Sequence, residues 1–159
     1  RPERDTDGCI ALPNEDLAEL AVRIELKQTP VIVTREMHYA SPDEKAAIGS
    51  ALRAQLAAWR DAMNTGDVIS YLSLYAQEFS YRGLDRDEWA AFRVDQFDAA
   101  PETTVDDILI LLDPEDPRVA MTRFTARLSG SDSAITLTKR LYWRQVDDDR
   151  WLIIAEDNG

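Results

Sequence analysis

The 159-residue chain has one cysteine, one histidine and no apolar run that approaches the roughly 20 residues needed to span a bilayer. A lone thiol excludes an internal disulfide and leaves the redox compartment open. The single histidine, His38 in "REMHYAS", has no carboxylate or second histidine at ligand spacing and is assigned to a linker surface, not to a metal site. No membrane span is expected, and "RPERDTDG" has no signal-peptide core, so an exported protein would carry its targeting segment upstream of Arg1 or have lost it. Positive charge is scarce: 18 Lys+Arg stand against 30 Asp+Glu, a net charge of −12 that repels phosphate backbones and anionic lipid. Nucleic acid is therefore excluded as a partner. The acidic clusters "DPED" and "VDDD" lack the twelve-residue calcium loop with its central glycine and terminal glutamate, and they read as solvated turns. Neither a metal nor a cofactor is expected. Internal repeats and low-complexity tracts are absent too.

What is present falls into two segments. In "LPNEDLAELAVRIELKQTPVIVTREM", Asn14 can cap a helix, Glu15 and Asp16 complement its positive end, and Leu17, Leu20, Ala21 and Ile24 recur at helical spacing. The β-branched run Val31-Ile32-Val33-Thr34 suits a strand buried on both faces. One helix and one strand cannot make a core, so residues 1–40 have the character of the end of a larger domain.

At Ser41 the pattern restarts. "SPDE" supplies a capping serine, a proline at the first helical position and Glu44 at the third. Ile48, Leu52, Gln55, Leu56, Trp59 and Met63 follow at spacings of three and four, which predicts a helix from Pro42 to Asn64 that stops at Gly66. Asp67 caps a short second helix whose stripe is Val68, Tyr71, Leu72 and Tyr75. In "LDRDEW", Asp85 and Glu88 form another capping box, with Leu84 and Trp89 as its hydrophobic staple, and this third helix reaches Phe97. From Val105 the period falls to two, and the turn clusters "DPEDPR", "SGSDS" and "VDDDR" separate strands near 105–112, 118–128, 134–146 and 150–156. The expected class is α+β, with three helices packed on one face of a curved antiparallel sheet over residues 41–159.

Helix, short helix, third helix and then a meander resemble the cone-shaped NTF2-like fold shared with ketosteroid isomerase and SnoaL-type proteins. "AWRDAMNTGDVISYLSLYAQEF" is similar to that superfamily's opening helix pair and "RWLIIAED" to its closing strand. The earlier stretch "TDGCIALPNEDLAEL…TPVIV" resembles the last part of a YkuD-type L,D-transpeptidase domain, whose signature is Ser or Thr, any residue, Gly, Cys and an apolar residue; here these are Thr6, Asp7, Gly8, Cys9 and Ile10. Ala11 departs from the arginine that many members carry there. The resemblance implies that Cys9, preceded by Gly8, is the nucleophile of a longer protein and forms a thioester with a peptidoglycan stem peptide. Read without that motif, Cys9 is a small buried hydrophobe. The base in such enzymes is a histidine well upstream of the cysteine; His38 lies downstream, so this chain alone is expected to be inactive.

The aromatics Trp59, Tyr71, Tyr75, Phe79, Trp89, Phe92, Tyr142, Trp143 and Trp151 fill a core or, in part, line a ligand pocket of the kind NTF2-like cones leave at their wide end. Trp59, Tyr71, Tyr75 and Tyr142 are the pocket candidates, with Arg123, Lys139 and Arg140 as cations that would suit a stem-peptide carboxylate or would form surface salt bridges. The expected function is that of a noncatalytic accessory domain of a periplasmic L,D-transpeptidase or carboxypeptidase, positioning peptidoglycan or an envelope protein. One alternative is an isomerase or dehydratase of the ketosteroid-isomerase or SnoaL kind, for which Asp67 with Tyr71 is the only base–donor pair. The other is a homodimerisation module that pairs through the sheet face bearing Thr138, Arg140 and Tyr142.

Overall fold

The computed structural model describes residues 10–26, 28–37, 39–97, 102–129 and 134–158. Thr6, Asp7, Gly8, Cys9 and His38 lie outside the described residues. The chain divides into two compact units, the first ending at Val33 and the second running from Thr34.

In the first unit, helix α1 (Asn14–Ala21) forms where leucine periodicity and first-turn acids predict it. Its N-cap is Pro13, not Asn14, and Leu17 N–H bonds the Pro13 carbonyl at 2.9 Å. None of its residues is buried. The strand expected at Val31–Thr34 does not form, and Val31 and Val33 are 70% and 79% exposed. A β-branched run becomes a strand only where a neighbouring ladder accepts its backbone groups, and none of the described residues offers one.

In the second unit, α2 (Pro42–Thr65) carries a complete capping box between Ser41 and Glu44 and ends on Gly66 at φ 68°. It buries Leu52, Leu56, Trp59 and Met63, the stripe its spacing prescribes. Asp67 caps α3 (Val68–Ser73) by accepting from Ser70 N–H. This helix stops two residues short of Tyr75, which instead opens strand β1 (Tyr75–Tyr81). A tight turn with Arg82 at φ 50° and Gly83 at φ 87° leads into β2 (Leu84–Asp85). Helix α4 (Arg86–Phe97) follows; Asp85 accepts from the Asp87 and Glu88 amides while Glu88 bonds Asp85 N–H.

The meander is β3 (Glu102–Leu112), β4 (Val119–Ser129), β5 (Ala134–Asp147) and β6 (Arg150–Asn158). The expected four strands are therefore six, in the order β2-β1-β6-β5-β4-β3, and all pairs are antiparallel except β1 with β6. Asp107, at φ 52°, sits where the β3–β4 register shifts, and such a bulge bends the strand. Trp59, Tyr71, Phe79, Trp89, Phe124, Leu141, Trp143, Trp151 and Ile153 form the core between helices and sheet. Inside it, Trp143 Nε1–H donates to the Thr122 hydroxyl at 2.9 Å.

Candidate functional site

Strand parity builds the site. On β5, Lys139, Leu141 and Trp143 are buried while the residues between them are only partly so. On β6, Trp151 and Ile153 face the same interior, and strict alternation would next bring in Ala155. Instead the register slips: Trp143 pairs with Ile153 and Tyr142 with Ala155, so Ile154 is an extra residue in β6. The slip inverts the parity, and Glu156 turns inward opposite Leu141.

Glu156 is then a carboxylate within an aromatic core. Lys139 Nζ donates to its Oε1 at 2.7 Å, and the two side chains are only 10% and 1% exposed. Lys139 also reaches Asn158 Oδ1 at 3.3 Å and lies 5.8 Å from the Trp59 ring centre. The other oxygen, Oε2, is 3.0 Å from the Tyr75 hydroxyl, which in turn is 2.5 Å from the Tyr71 hydroxyl and 3.1 Å from Trp59 Nε1. A carboxylate only accepts, and an indole N–H only donates. The one Tyr75 proton therefore goes to Glu156, and Tyr75 oxygen accepts from both Tyr71 and Trp59. Burial, reinforced by the Glu156 charge, pushes Tyr71 up to about 12, while Arg93 pulls it the other way. The same two causes hold Tyr75 well above the ordinary tyrosine range. Both hydroxyls keep their protons and act as donors.

Above this network is a cavity of about 350 Å³, at the small end of ligand sites. Trp59 and Met63 of α2, Trp89 and Arg93 of α4, and Lys139 and Glu156 of the sheet all line it. The Arg93 guanidinium lies over the Tyr71, Trp89 and Phe97 rings at 5.4, 5.5 and 5.7 Å and contacts Met63 Sδ. Arg82 and Phe92 also line the cavity while remaining exposed, which puts them at its opening. Among the described residues its charged lining is Arg82, Arg93 and Lys139 with Glu156, whose two oxygens are both engaged.

Of the candidates named from sequence, Trp59, Tyr71, Tyr75 and Lys139 come together here. Arg123, Arg140 and Tyr142 stand on the opposite side of the sheet: Arg123 and Arg140 are cross-strand partners, Arg140 pairs with Asp157 at 2.9 Å, and Tyr142 lies between Met121 and Ala155. Asp67 is exposed and does not line the cavity; it accepts from the Ser70 amide and hydroxyl at 3.0 and 2.6 Å. The Ser70 hydroxyl, then its amide, holds that carboxyl below the usual range, the reverse of what a proton-abstracting base needs. Sequence reasoning missed Glu156, Arg93 and Arg82. Arg93 could have been found, since it lies on the face of α4 that carries Trp89 and Phe97, at spacings of four.

Residues 51–157 match the model of the Cds6 C-terminal NTF2-like domain. No curated protein matches the chain. Among solved structures, Bd1075 of Bdellovibrio bacteriovorus is similar with a TM-score of 0.74 at 19% identity, over 96% of this chain and 56% of that one. The helical cell shape determining protein Pgp2 of Campylobacter jejuni is similar with a TM-score of 0.68 at 24% identity, over 94% and 54%. An NTF2-like protein of unknown function from Shewanella oneidensis gives a TM-score of 0.56 at 22% identity, over 69% and 97%. These likenesses establish the fold, and the chain spans little more than half the length of the first two.

Proposed function

The chain belongs to the Cds6 C-terminal NTF2-like domain family, and we propose that it serves as the noncatalytic accessory part of a bacterial cell-envelope L,D-transpeptidase or carboxypeptidase. In this reading the cavity holds a peptidoglycan stem peptide or an envelope partner near the catalytic domain. Gly8 and Cys9 belong to the tail of that domain, with Cys9 its nucleophile, and the whole works in the periplasm. The observation that carries the noncatalytic assignment is the state of Glu156. Among the described residues it is the only carboxylate lining the cavity, and Lys139 and Tyr75 already engage its two oxygens, so what these residues offer a ligand is donors and positive charge. The likeness to the helical cell shape determining protein Pgp2 supports the rest, since it extends over 94% of this chain, beyond the 51–157 stretch of the NTF2-like family.

The test is a titration of the isotope-labelled chain with purified muropeptides. Indole signals of Trp59 and Trp89 and the side-chain signals of Arg93 and Lys139 should shift saturably. If all of them stay silent at millimolar ligand while the chain remains folded, the binding role is lost. The isomerase alternative predicts that Asp67→Asn abolishes turnover of an enolisable ketone; on the geometry above, the substitution should only weaken the start of α3.

A further inference from the structure

We propose that Arg82 is the residue that recognises the ligand's charge, and that the cavity takes an organic carboxylate with a small apolar body. This deepens the reading of the cavity as a binding site and rests on it.

The first observation is conformational. Tyr81 pairs with Leu84, so Arg82 and Gly83 are the two central residues of a tight hairpin turn, and both have positive φ. Such turns strongly favour asparagine, aspartate or glycine at the first central position, because a side chain with a Cβ crowds the backbone there. Arginine has no short polar group to compensate locally. A position that glycine would fill with less strain is thus occupied by a long cation, and residues held in sparsely populated backbone regions concentrate at ligand sites.

The second observation is where that cation goes. The Arg82 guanidinium lies 5.4 Å from the Tyr81 ring centre, at the opening of the cavity. Among the described residues it pairs with no carboxylate, in a chain with 30 Asp+Glu against 18 Lys+Arg. The other two cations of the lining are differently placed. Lys139 is answered by Glu156 and Asn158 on the cavity floor, and Arg93 is packed among three rings and a thioether. A guanidinium held over the Tyr81 ring leaves N–H groups for a two-pronged contact with a carboxylate. Behind it, Trp89, Phe92, Leu128 and Leu137 provide an apolar wall for the rest of the ligand.

The experiment compares N-acetyl-D-alanine with its neutral amide, by calorimetry and amide shifts, on the whole chain and on Arg82→Gln, Arg82→Lys and Arg82→Gly. The unsubstituted chain should prefer the carboxylate by about ten-fold or more, the scale of one charge-assisted contact. Arg82→Gln and Arg82→Gly should abolish that preference, and Arg82→Lys should keep part of it. Arg82→Gly should also melt at a higher temperature than the parent, so lost binding cannot be put down to lost folding. A preference that survives in Arg82→Gln, or no binding of either probe by the parent chain at millimolar concentration, overturns the assignment. A stem tetrapeptide and its C-terminal amide separate the two levels of inference. If the tetrapeptide binds equally with and without Arg82, the peptidoglycan role stands and Arg82 falls. If it fails to bind while N-acetyl-D-alanine binds through Arg82, the anion site stands and the peptidoglycan role falls.

Discussion

Glu156 is answered twice, by a charge on one oxygen and a neutral hydroxyl on the other, and the two contacts have different consequences. Removing Lys139 while leaving the carboxylate strands a buried charge, so Lys139→Met should destabilise the chain by about 3–5 kcal/mol in urea unfolding. The double substitution Lys139→Met/Glu156→Leu should recover most of that loss, since the pair's mutual attraction and its desolvation nearly cancel. Equal instability of the single and double variants would show that the two residues are not coupled. The tyrosines predict an alkaline effect. Tyr71 titrates at about 12 in the folded chain against 10.0 when unperturbed. Above pH 10 the unfolded chain therefore releases a proton that the folded one keeps, and stability falls as pH rises from 10 toward 12. Ultraviolet titration should show Tyr71 and Tyr75 ionising only with loss of the fold, and Tyr75→Phe should shrink that late step. Early, reversible ionisation of every tyrosine would mean that the network is open to water.

The helices were legible because their ends announce themselves. Ser41 with Glu44, Asp85 with Glu88, and Gly66 each satisfy terminal backbone groups by local chemistry that a few adjacent residues suffice to reveal. At Gly66 the physics is simple enough for a number. A Cβ there would find Phe97 O at an ordinary 3.9 Å, so Gly66→Ala meets no clash and bears only the left-handed backbone penalty, about 1–2 kcal/mol by thermal or urea unfolding. A larger loss would mean that the α2–α3 junction had moved. The misreadings share a different cause. Tyr75 continues the helical stripe of Val68, Tyr71 and Leu72, yet it belongs to a strand because β6, some eighty residues later, offers it a parallel partner. Glu156 could not be nominated because nothing local signals the extra residue at Ile154 that turns it inward. Periodicity records the face a segment would present if regular; pairing and bulges are settled by segments far away in the chain. Hence Trp59, Tyr71, Tyr75 and Lys139 could be nominated for the site, and the carboxylate that organises them could not.

At the scale of the whole molecule, among the described residues the core cluster and its partly buried surround come from Ile48 or later. The apolar side chains of Val22, Leu26, Val31 and Val33 are exposed instead. A chain reduced to residues 34–159 should therefore unfold cooperatively with a midpoint within about 3 °C of the full chain, and it should be less prone to self-association. A drop well beyond that would mean that residues 10–33 contribute to the core. The sheet order has a consequence in time as well as in space. β6 is the domain's closing strand, yet it lies between β1 and β5 and carries Trp151, Ile153 and Glu156 into the centre of the fold. Until Arg150–Asn158 leaves the ribosome, β1 has no partner on its inner edge and Lys139 has no counter-charge. The helices and the β3–β5 meander can form during synthesis, but the cavity floor is assembled in a single late event that joins both ends of the domain. Ligand-binding competence should accordingly arrive with the last nine residues of the sheet, and not gradually as the chain grows.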